Sequence, residues 1–558
     1  MTQKINELHE RSSATEQIKY LTGYRKLLPL YLLNSKDGMK IQIFPVKLAV
    51  WILTLSVSAY LGGGLALYLN DRINNDLNNI SVLDRLYPPY WERYSQARGD
   101  SYVENAVKGL ENGNFSQAFH QIRVGLARSP ANLKGRTLLA DMFVAAGRND
   151  LAETTLLDGM EFHAAESDYL EKTLAFLFRL KRDEKVITLA NGLLPDASSD
   201  ETNRSGLNRA EELLASSLAT AYIYRGNFDQ AEEVLSQFGL ATSRDGRYLL
   251  ATIEWERGYK DLALVLIEQL AKEFPADPNL YRSLVGWQLE HSLSDTARRT
   301  SLLRRLAFPQ HYQPRVDLLY SYEASGDDSS LEKEVSQFVR DFGASSQAML
   351  VLGDFAANTG RPAIAQIVFS HAKESEIPLQ GPALMLVESE IVAGNYESAV
   401  VRTRALIESY PEWESQFAPV FNGLRAIANY ALGDRESASL YLDSFLNLKT
   451  VRADNLVAVA KRLKSVGAKA EARRVLAHAV KSDPLNQTAL AQLIEFDLSE
   501  PDSPDLGDNL RKLMKMRRPS PGLMQMAYNR LGHDRFMFIE DRNILLDDIA
   551  SKLRGQSG

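Results

Sequence analysis

The chain contains no cysteine in its 558 residues. This absence excludes disulfide bonds, thiolate metal ligands and cysteine nucleophiles together. The eight histidines show no pair spaced three or four residues apart, so a histidine-based metal helix is not expected. The sequence also lacks a Walker-type phosphate loop, a Gly-x-Gly-x-x-Gly run and a Gly-x-Ser-x-Gly elbow. We therefore expect no enzyme activity, no catalytic residues, no metal, no cofactor and no small-molecule substrate.

A basic stripe is also absent, and the net charge of −7 is unevenly divided. Residues 1–47 hold eight Lys and Arg against four acids, a net of +4, which leaves −11 for residues 48–558. Nucleic-acid binding proteins usually carry a cluster of Lys and Arg on one face. An acidic body without such a cluster argues against a nucleic-acid partner.

One long apolar run interrupts this acidic chain, at residues 48–70 (LAVWILTLSVSAYLGGGLALYLN), where 23 residues carry no charge. As a helix it would be roughly 34 Å long, enough to cross a hydrocarbon core of about 30 Å. The alternative is a buried core helix, although no other stretch of the chain resembles this one. A cleaved signal peptide is disfavoured because the run starts at residue 48. We predict a transmembrane helix over 48–70 that contacts the lipid bilayer.

The basic residues 1–47 precede this helix, and few basic residues come closely after it. By the positive-inside rule, the N-terminus is expected in the cytoplasm and the remainder outside it. The tail itself is predicted to be helical and weakly amphipathic, with a break at Pro29. It either docks on the inner membrane surface or a cytoplasmic partner, or it only sets the orientation. In residues 71–98, the aromatic segment Tyr87–Trp91 either meets the lipid interface or packs on the first repeat of the array described next.

From residue 99 onward the chain repeats a short pattern, in which Gly is followed five positions later by Ala. Gly113 with Ala118 and Gly394 with Ala399 are two of the clear copies. Filling the gaps at the same period adds degenerate copies at Lys181, Ser292 and Gly326. The predicted turn positions are 113, 147, 181, 226, 258, 292, 326, 360, 394, 433 and 467. Seven of the ten spacings are 34 residues, so the register holds over the whole array.

This spacing is typical of a helical hairpin. Glycine at the turn adopts the left-handed conformation that ends the first helix. A small residue five positions after the turn, and another seven positions before it, lets the two helices pack closely. Pro recurs 17 residues after the turn, as at Pro130, Pro275 and Pro411, where it stops the second helix.

The pattern resembles the tetratricopeptide repeat family, whose period is 34 residues. The resemblance covers about 99–485, although the Trp and Tyr of the family signature are mostly replaced. It implies an all-α fold, a right-handed α-solenoid of helical hairpins preceded by a single transmembrane helix. The predicted segments are a basic tail 1–47, a transmembrane helix 48–70, a juxtamembrane linker 71–98, repeats 1–3 over 99–195, a loop insertion 196–208, repeats 4–11 and one further helix over 209–500, and capping helices over 501–558.

In this family the inner wall of the superhelix comes mainly from the first helices, so the resemblance implies a groove that binds protein partners. The corresponding positions here are Tyr248, Trp255, Arg282, Tyr320, Glu323, Asp354, Glu388, Tyr430, Lys461 and Lys464. Aromatic and charged side chains of this kind suit a peptide or a helix. For Trp255 and Tyr430 in particular, packing within or between repeats is the alternative. The family's clamp for carboxylate tails is not recognisable.

The layout, by analogy alone, resembles membrane-anchored repeat proteins of bacterial cell-envelope assembly, secretion or export machines. We expect a single-pass scaffold in the inner membrane with the repeats in the periplasm. The alternatives are a chaperone-like or import-receptor-like protein that binds extended client segments, and a regulatory subunit of a membrane enzyme. Residues 506–518 are predicted to form a helix. The Arg and Lys residues over 511–518 either stabilise the C-terminus of that helix or form a patch for an anionic partner.

Overall fold

The structure is a computed structural model of the 558-residue chain. It describes residues 30–554 with gaps at 36–37, 44, 75–79, 196–207, 376, 449–450, 500–502, 504 and 538. The chain separates into two compact units, Met1–Phe176 and Leu177–Gly558. Most of the predicted N-terminal tail and nearly all of the predicted insertion 196–208 lie outside the described residues.

Two strands form a hairpin just before the apolar run, β1 (Leu30–Ser35) and β2 (Gly38–Ile43). They pair antiparallel, from Leu30 opposite Ile43 to Ser35 opposite Gly38. The prediction of a helical tail is therefore wrong for this part. The segment begins directly after Pro29, which disfavours a continuing helix, and it contains Tyr31, Ile41 and Ile43, whose side chains are suited to strands.

The apolar run is one helix, α1 (Pro45–Asn74), longer at both ends than the predicted 48–70. Its residues Pro45–Ile73 are long and apolar enough to cross a membrane, and none of its most apolar window is buried inside the protein. A short helix, α2 (Val82–Leu86), returns along α1, where the Tyr60 hydroxyl donates to the Leu86 carbonyl. Gly64 lies at this crossing, where an added Cβ would overlap the Leu86 side chain.

The rest of the first unit consists of helical hairpins. After a 3₁₀ turn at Pro88–Tyr90, the helices are α3 (Trp91–Glu111), α4 (Phe115–Arg128), α5 (Leu133–Ala145), α6 (Asn149–His163) and α7 (Ser167–Arg179). The unit boundary falls within α7. Trp91 Nε1 donates to the Arg85 carbonyl at 3.2 Å, and the Arg85 guanidinium lies 4.2 Å from the Tyr94 ring. These contacts join α2 to α3. Tyr87 and Trp91 remain half exposed, and the two alternatives for the aromatic segment stay predictions.

The second unit continues the hairpins without strands among its described residues. Its helices are α8 (Asp183–Leu193), α9 (Arg209–Arg225), α10 (Phe228–Gln237), α11 (Arg244–Arg257), α12 (Lys260–Glu273), α13 (Pro278–Glu290), α14 (Ser294–Ala307), α15 (Gln313–Ser325), α16 (Asp328–Phe342), α17 (Ser346–Thr359), α18 (Pro362–Glu374), α19 (Gln380–Val392), α20 (Tyr396–Ser409), α21 (Glu412–Gln416), α22 (Ala418–Leu432), α23 (Arg435–Asn447), α24 (Ala453–Ser465) and α25 (Lys469–Ser482). α8 packs on α9, so the predicted insertion does not interrupt the stacking of helices.

The turn register predicted from the period is confirmed at every position. All eleven predicted turn residues have positive φ, including Lys181 at 56° and Ser292 at 61° where the glycine is missing. An L-residue in this conformation is strained by roughly 1–2 kcal/mol. The degenerate copies therefore keep the backbone geometry of the repeat and carry this strain.

The predicted small residues lie where the two helices of each hairpin meet. The alanines five positions after the turns, such as Ala118, Ala399 and Ala472, are at most 1% exposed. The alanines seven positions before the turns, such as Ala106 and Ala426, are also at most 1% exposed. The small side chains therefore set the close approach of the helices within each repeat.

Four further elements end the chain: α26 (Gln487–Asp497), α27 (Leu506–Met514), α28 (Pro521–Leu531) and α29 (Arg542–Arg554), with a 3₁₀ turn at Asp534–Phe536. Leu545 and Ile549 of α29 are buried in a core shared by all four helices. The helix predicted to reach Arg518 ends instead at Met514, so Arg517 and Arg518 lie beyond it. These helices form the cap of the array, and we call residues 506–554 the C-terminal cap.

Candidate partner-binding site

Three successive first helices, α19, α22 and α24, stand side by side in the second unit and form what we call the first-helix wall. A pocket of about 140 Å³ opens on this wall. The residues that line it are Glu388 of α19, Pro419, Val420, Leu424 and Ile427 of α22, Phe445 of α23, and Asn455, Ala458, Val459 and Arg462 of α24. On α24 these residues recur at three- and four-residue spacing, so one face of the helix points into the pocket.

Local sequence features shape this pocket. Pro419 stands in the first turn of α22, where a backbone N–H has no helical partner to lose. Gly423 has no side chain, and an added Cβ would lie 2.9 Å from Val459 Cγ2. The glycine therefore lets α24 approach α22. Phe445, which is 1% exposed, closes the pocket from behind.

An ion pair borders the apolar pocket. Arg462 donates from Nη2 to Glu388 Oε1 at 3.2 Å, across the whole intervening repeat. The side chains are 18% and 36% exposed, respectively. A partly exposed pair of this kind contributes at most about 1 kcal/mol to stability, so a partner's charged group can displace one of its members at little cost.

The structure places Glu388, a predicted groove residue, at the pocket, but its partner Arg462 was missed. The sequence pattern selected Lys461 and Lys464 on either side of it. Lys461 is exposed, while Lys464 Nζ lies 3.0 Å from Glu495 Oε1 on α26, the next first helix. Arg462 directly follows Lys461 in sequence and is not at one of the family's groove positions, so the pattern did not select it.

The other predicted charged residues are spread along earlier first helices. Glu323 accepts from Arg361 Nε at 2.9 Å and so links α15 to the start of α18. Arg282 of α13 and Asp354 of α17 are exposed. These residues are not brought together with Glu388 in one pocket.

Two of the predicted aromatic residues are committed to packing between repeats. Trp255 is 6% exposed, and its ring stacks on Trp287 with centroids 4.8 Å apart and planes 6° apart. The Tyr248 hydroxyl lies 3.0 Å from Ser283 Oγ on the next first helix. Both link α11 to α13, so for Trp255 the packing alternative describes the structure.

The remaining predicted aromatics, Tyr320 and Tyr430, are half buried. The ring of Tyr320 meets Phe355 edge to face with centroids 4.9 Å apart. Tyr430 packs on the core of the last repeats. Burial raises the pKa of both hydroxyls above the usual value, so both stay protonated near neutral pH. They can donate hydrogen bonds along the first helices.

Within the described parts of the chain, no group of three or more His, Cys, Asp or Glu side chains could hold a metal ion. The first-helix wall and the neighbouring first helices offer an apolar pocket, an ion pair and tyrosine hydroxyls that can donate hydrogen bonds. Such a combination is suited to recognition of another chain.

No family model matches the chain, and no curated protein matches it. Among solved structures, yeast Tom70 is similar at 14% identity, with a TM-score of 0.32, over 82% of this chain and 99% of that one. The Cut9–Hcn1 heterotetramer of the APC/C is similar at 12% identity, with a TM-score of 0.24, over 81% of this chain and 96% of that one. These similarities are too low to carry an argument about function.

The repeat geometry decides the fold by itself, through eleven turns in register and the small residues buried on either side of them. From residue 91 onward the described residues form helical hairpins, the units of the α-solenoid that the tetratricopeptide-repeat resemblance implies. In such a solenoid each hairpin stacks on its neighbours and leaves a long wall of first helices available to a partner.

Proposed function

We propose that this protein is a membrane-anchored, non-catalytic scaffold that binds an extended segment of a protein partner on the first-helix wall. The pocket bordered by Glu388 and Arg462 carries this proposal. Its volume of about 140 Å³ is close to that of a protein cavity that holds one benzene molecule. One branched aliphatic or small aromatic side chain of a partner would fill it, with the partner's charged groups beside the ion pair.

The anchor is α1, whose most apolar window is not buried inside the protein. We further propose that the chain crosses a bacterial inner membrane once, with residues 1–47 in the cytoplasm and the repeats in the periplasm. The charge division of +4 before the apolar run and −11 after its start supports this orientation. The protein would then be a subunit of a cell-envelope assembly, secretion or export machine.

Orientation can be measured directly because the natural chain has no cysteine. Single variants Ser12→Cys in the tail and Ala405→Cys on α20 each introduce one thiol. A membrane-impermeant maleimide applied to spheroplasts should label Ala405→Cys and leave Ser12→Cys unlabelled until lysis. The reverse pattern would place the repeats in the cytoplasm and favour the import-receptor-like alternative.

The partner-binding role is tested by crosslinking the full-length protein in native membranes and identifying captured proteins by mass spectrometry. Ala458 is exposed and lines the pocket, so Ala458→Phe should block it without altering the core. Ala405 is exposed on the second helix α20, and Ala405→Phe is the matched control. We expect Ala458→Phe to lose the main crosslinked partner and the control to keep it.

The identity of the captured proteins separates the candidate functions. One envelope machine recovered at a fixed ratio supports a dedicated scaffold subunit. Scattered clients with no constant partner support a chaperone-like role, and one membrane enzyme supports a regulatory subunit. Equal capture by wild type and Ala458→Phe would show that the pocket is not the binding site.

A further inference from the structure

The segment after α27 joins the end of the second unit to its beginning. Arg518 donates its backbone N–H to the Tyr224 carbonyl at 2.7 Å, and Arg225 Nη1 donates to the Lys515 carbonyl, also at 2.7 Å. The two contact regions are about 290 residues apart in sequence. Because Lys515–Pro519 is not helical, its backbone groups are free to make these contacts.

The Arg517 side chain contacts residues of the early repeats. Its Nε and Nη2 donate to the Asp183 carboxylate at 2.9 and 2.8 Å, and Nη2 also donates to the Phe178 carbonyl at 2.9 Å. The guanidinium lies 3.9 Å from the centroid of the Tyr224 ring. Asp183 is only 2% exposed. A planar fork that meets a buried carboxylate and an aromatic face is a geometry that Arg satisfies and Lys does not.

Arg518 occupies a neighbouring pocket. Its Nη1 donates to the Glu256 carbonyl at 2.6 Å and to the Glu256 carboxylate at 3.1 Å. The guanidinium lies 4.9 Å from the Phe228 ring, and Gly226 lets its stem approach, since an added Cβ would lie 3.0 Å from Arg518 Cδ. Glu256 and Phe228 border the turns of two successive repeats.

A second copy of the same turn sequence shows what the arginine covers. Gly113-Asn114-Phe115 of the first repeat matches Gly226-Asn227-Phe228 of the fourth. Phe115 is 65% exposed, whereas Phe228 is 3% exposed beneath Arg518 and Arg257. The burial of Phe228 therefore depends on what packs on the turn and does not follow from the repeat sequence alone.

We propose that the turns at Lys181, Gly226 and Gly258 form a receptor for an arginine pair, which the chain's own Arg517 and Arg518 occupy as a clasp. In an open repeat array each repeat interacts only with its neighbours. The clasp adds a contact between the early repeats and the C-terminal cap. Release of the two arginines would uncouple the early repeats from the C-terminal cap. An arginine pair on another chain could then occupy the same pockets.

Hydrogen exchange on the full-length protein tests the clasp. We expect Arg517→Ala and Arg517→Lys to speed amide exchange about tenfold or more at Phe178–Asp183 and Tyr224–Phe228, since charge-assisted hydrogen bonds are lost. Lys512→Ala, an exposed charge on α27, is the matched control and should change nothing there. Unchanged exchange in both Arg517 variants, or an equal effect of the control, would overturn the proposal.

Asp183→Asn approaches the clasp from the other side and keeps the side-chain shape. It should speed amide exchange at residues 515–518, more than 300 positions away in sequence, while α29 stays protected. This reciprocal effect separates loss of the clasp from unfolding of the C-terminal cap. If Asp183→Asn affects only its own helix, the two ends are not coupled and the proposal fails.

A peptide spanning residues 512–523 tests the receptor itself. Added at about millimolar concentration to the Arg517→Ala/Arg518→Ala variant, it should restore protection at Tyr224–Phe228. The same peptide with both arginines replaced by lysine should not, and wild type should not respond because its pockets are filled. No protection of the variant by the arginine peptide would show that the contact is structural only and that no receptor exists.

Discussion

Arg304 and Asp317 form a buried ion pair whose disruption should have a large and measurable effect. Arg304 of α14 is 2% exposed, and its Nη1 donates to Asp317 of α15. The other carboxylate oxygen accepts from Gln313 Nε2 at 3.2 Å. Replacing Arg304 by Met keeps the length and apolar volume of the side chain and leaves the Asp317 carboxylate buried without its cation. We expect a loss of about 3–5 kcal/mol in the free energy of unfolding at neutral pH.

The pH dependence of this loss gives the sharper test. Burial raises the pKa of Asp317 in the folded protein, and the charge of Arg304 partly opposes that rise. Because the folded-state pKa exceeds the unfolded one, the ionised carboxylate destabilises the fold above the folded-state pKa. That penalty is relieved as the pH falls through it. Without Arg304 the pKa of Asp317 rises further, so the deficit of Arg304→Met relative to wild type should shrink as the pH falls through that raised folded-state pKa.

The assay is amide hydrogen exchange across α13–α16 of the full chain, with urea denaturation as a second measurement. The double variant Arg304→Met/Asp317→Leu removes the stranded charge and should recover most of the lost stability, since apolar replacement of a buried pair is often neutral or favourable. A loss below about 1 kcal/mol for Arg304→Met, or a loss independent of pH, would refute the reasoning.

Three further predictions concern the turns, the hairpin contacts and the apolar helix. Ser292→Gly should raise stability by about 1 kcal/mol, because glycine relieves the positive φ, and a thermal melt that does not rise would contradict this. Ala472→Leu should lower stability by about 1–3 kcal/mol through overpacking, whereas Ala405→Leu on the exposed face should have no such effect in urea denaturation. Gly64→Leu should displace α2 from α1 and shift Trp91 fluorescence, whereas Gly63→Leu, with open space around it, should leave the spectrum unchanged.

The local architecture could be predicted from the sequence because it depends on contacts between near neighbours. A turn needs one residue with positive φ, and a hairpin needs small residues on either side of it. Both requirements recur every 34 residues, so the period located even Lys181 and Ser292, where the glycine is missing. The apolar run likewise predicts a helix from its own length and composition.

Only the tertiary structure decided which side chains of the first helices are available and where the chain closes on itself. Trp255 and Glu388 both occupy predicted groove positions, yet Trp255 stacks on its neighbour while Glu388 meets Arg462 at an open pocket. Arg517 finds Asp183 more than 300 residues earlier, a pairing that no local pattern predicts. The local sequence determines each hairpin. Small rotations between successive repeats add up along the array, so only the assembled solenoid determines which distant residues meet.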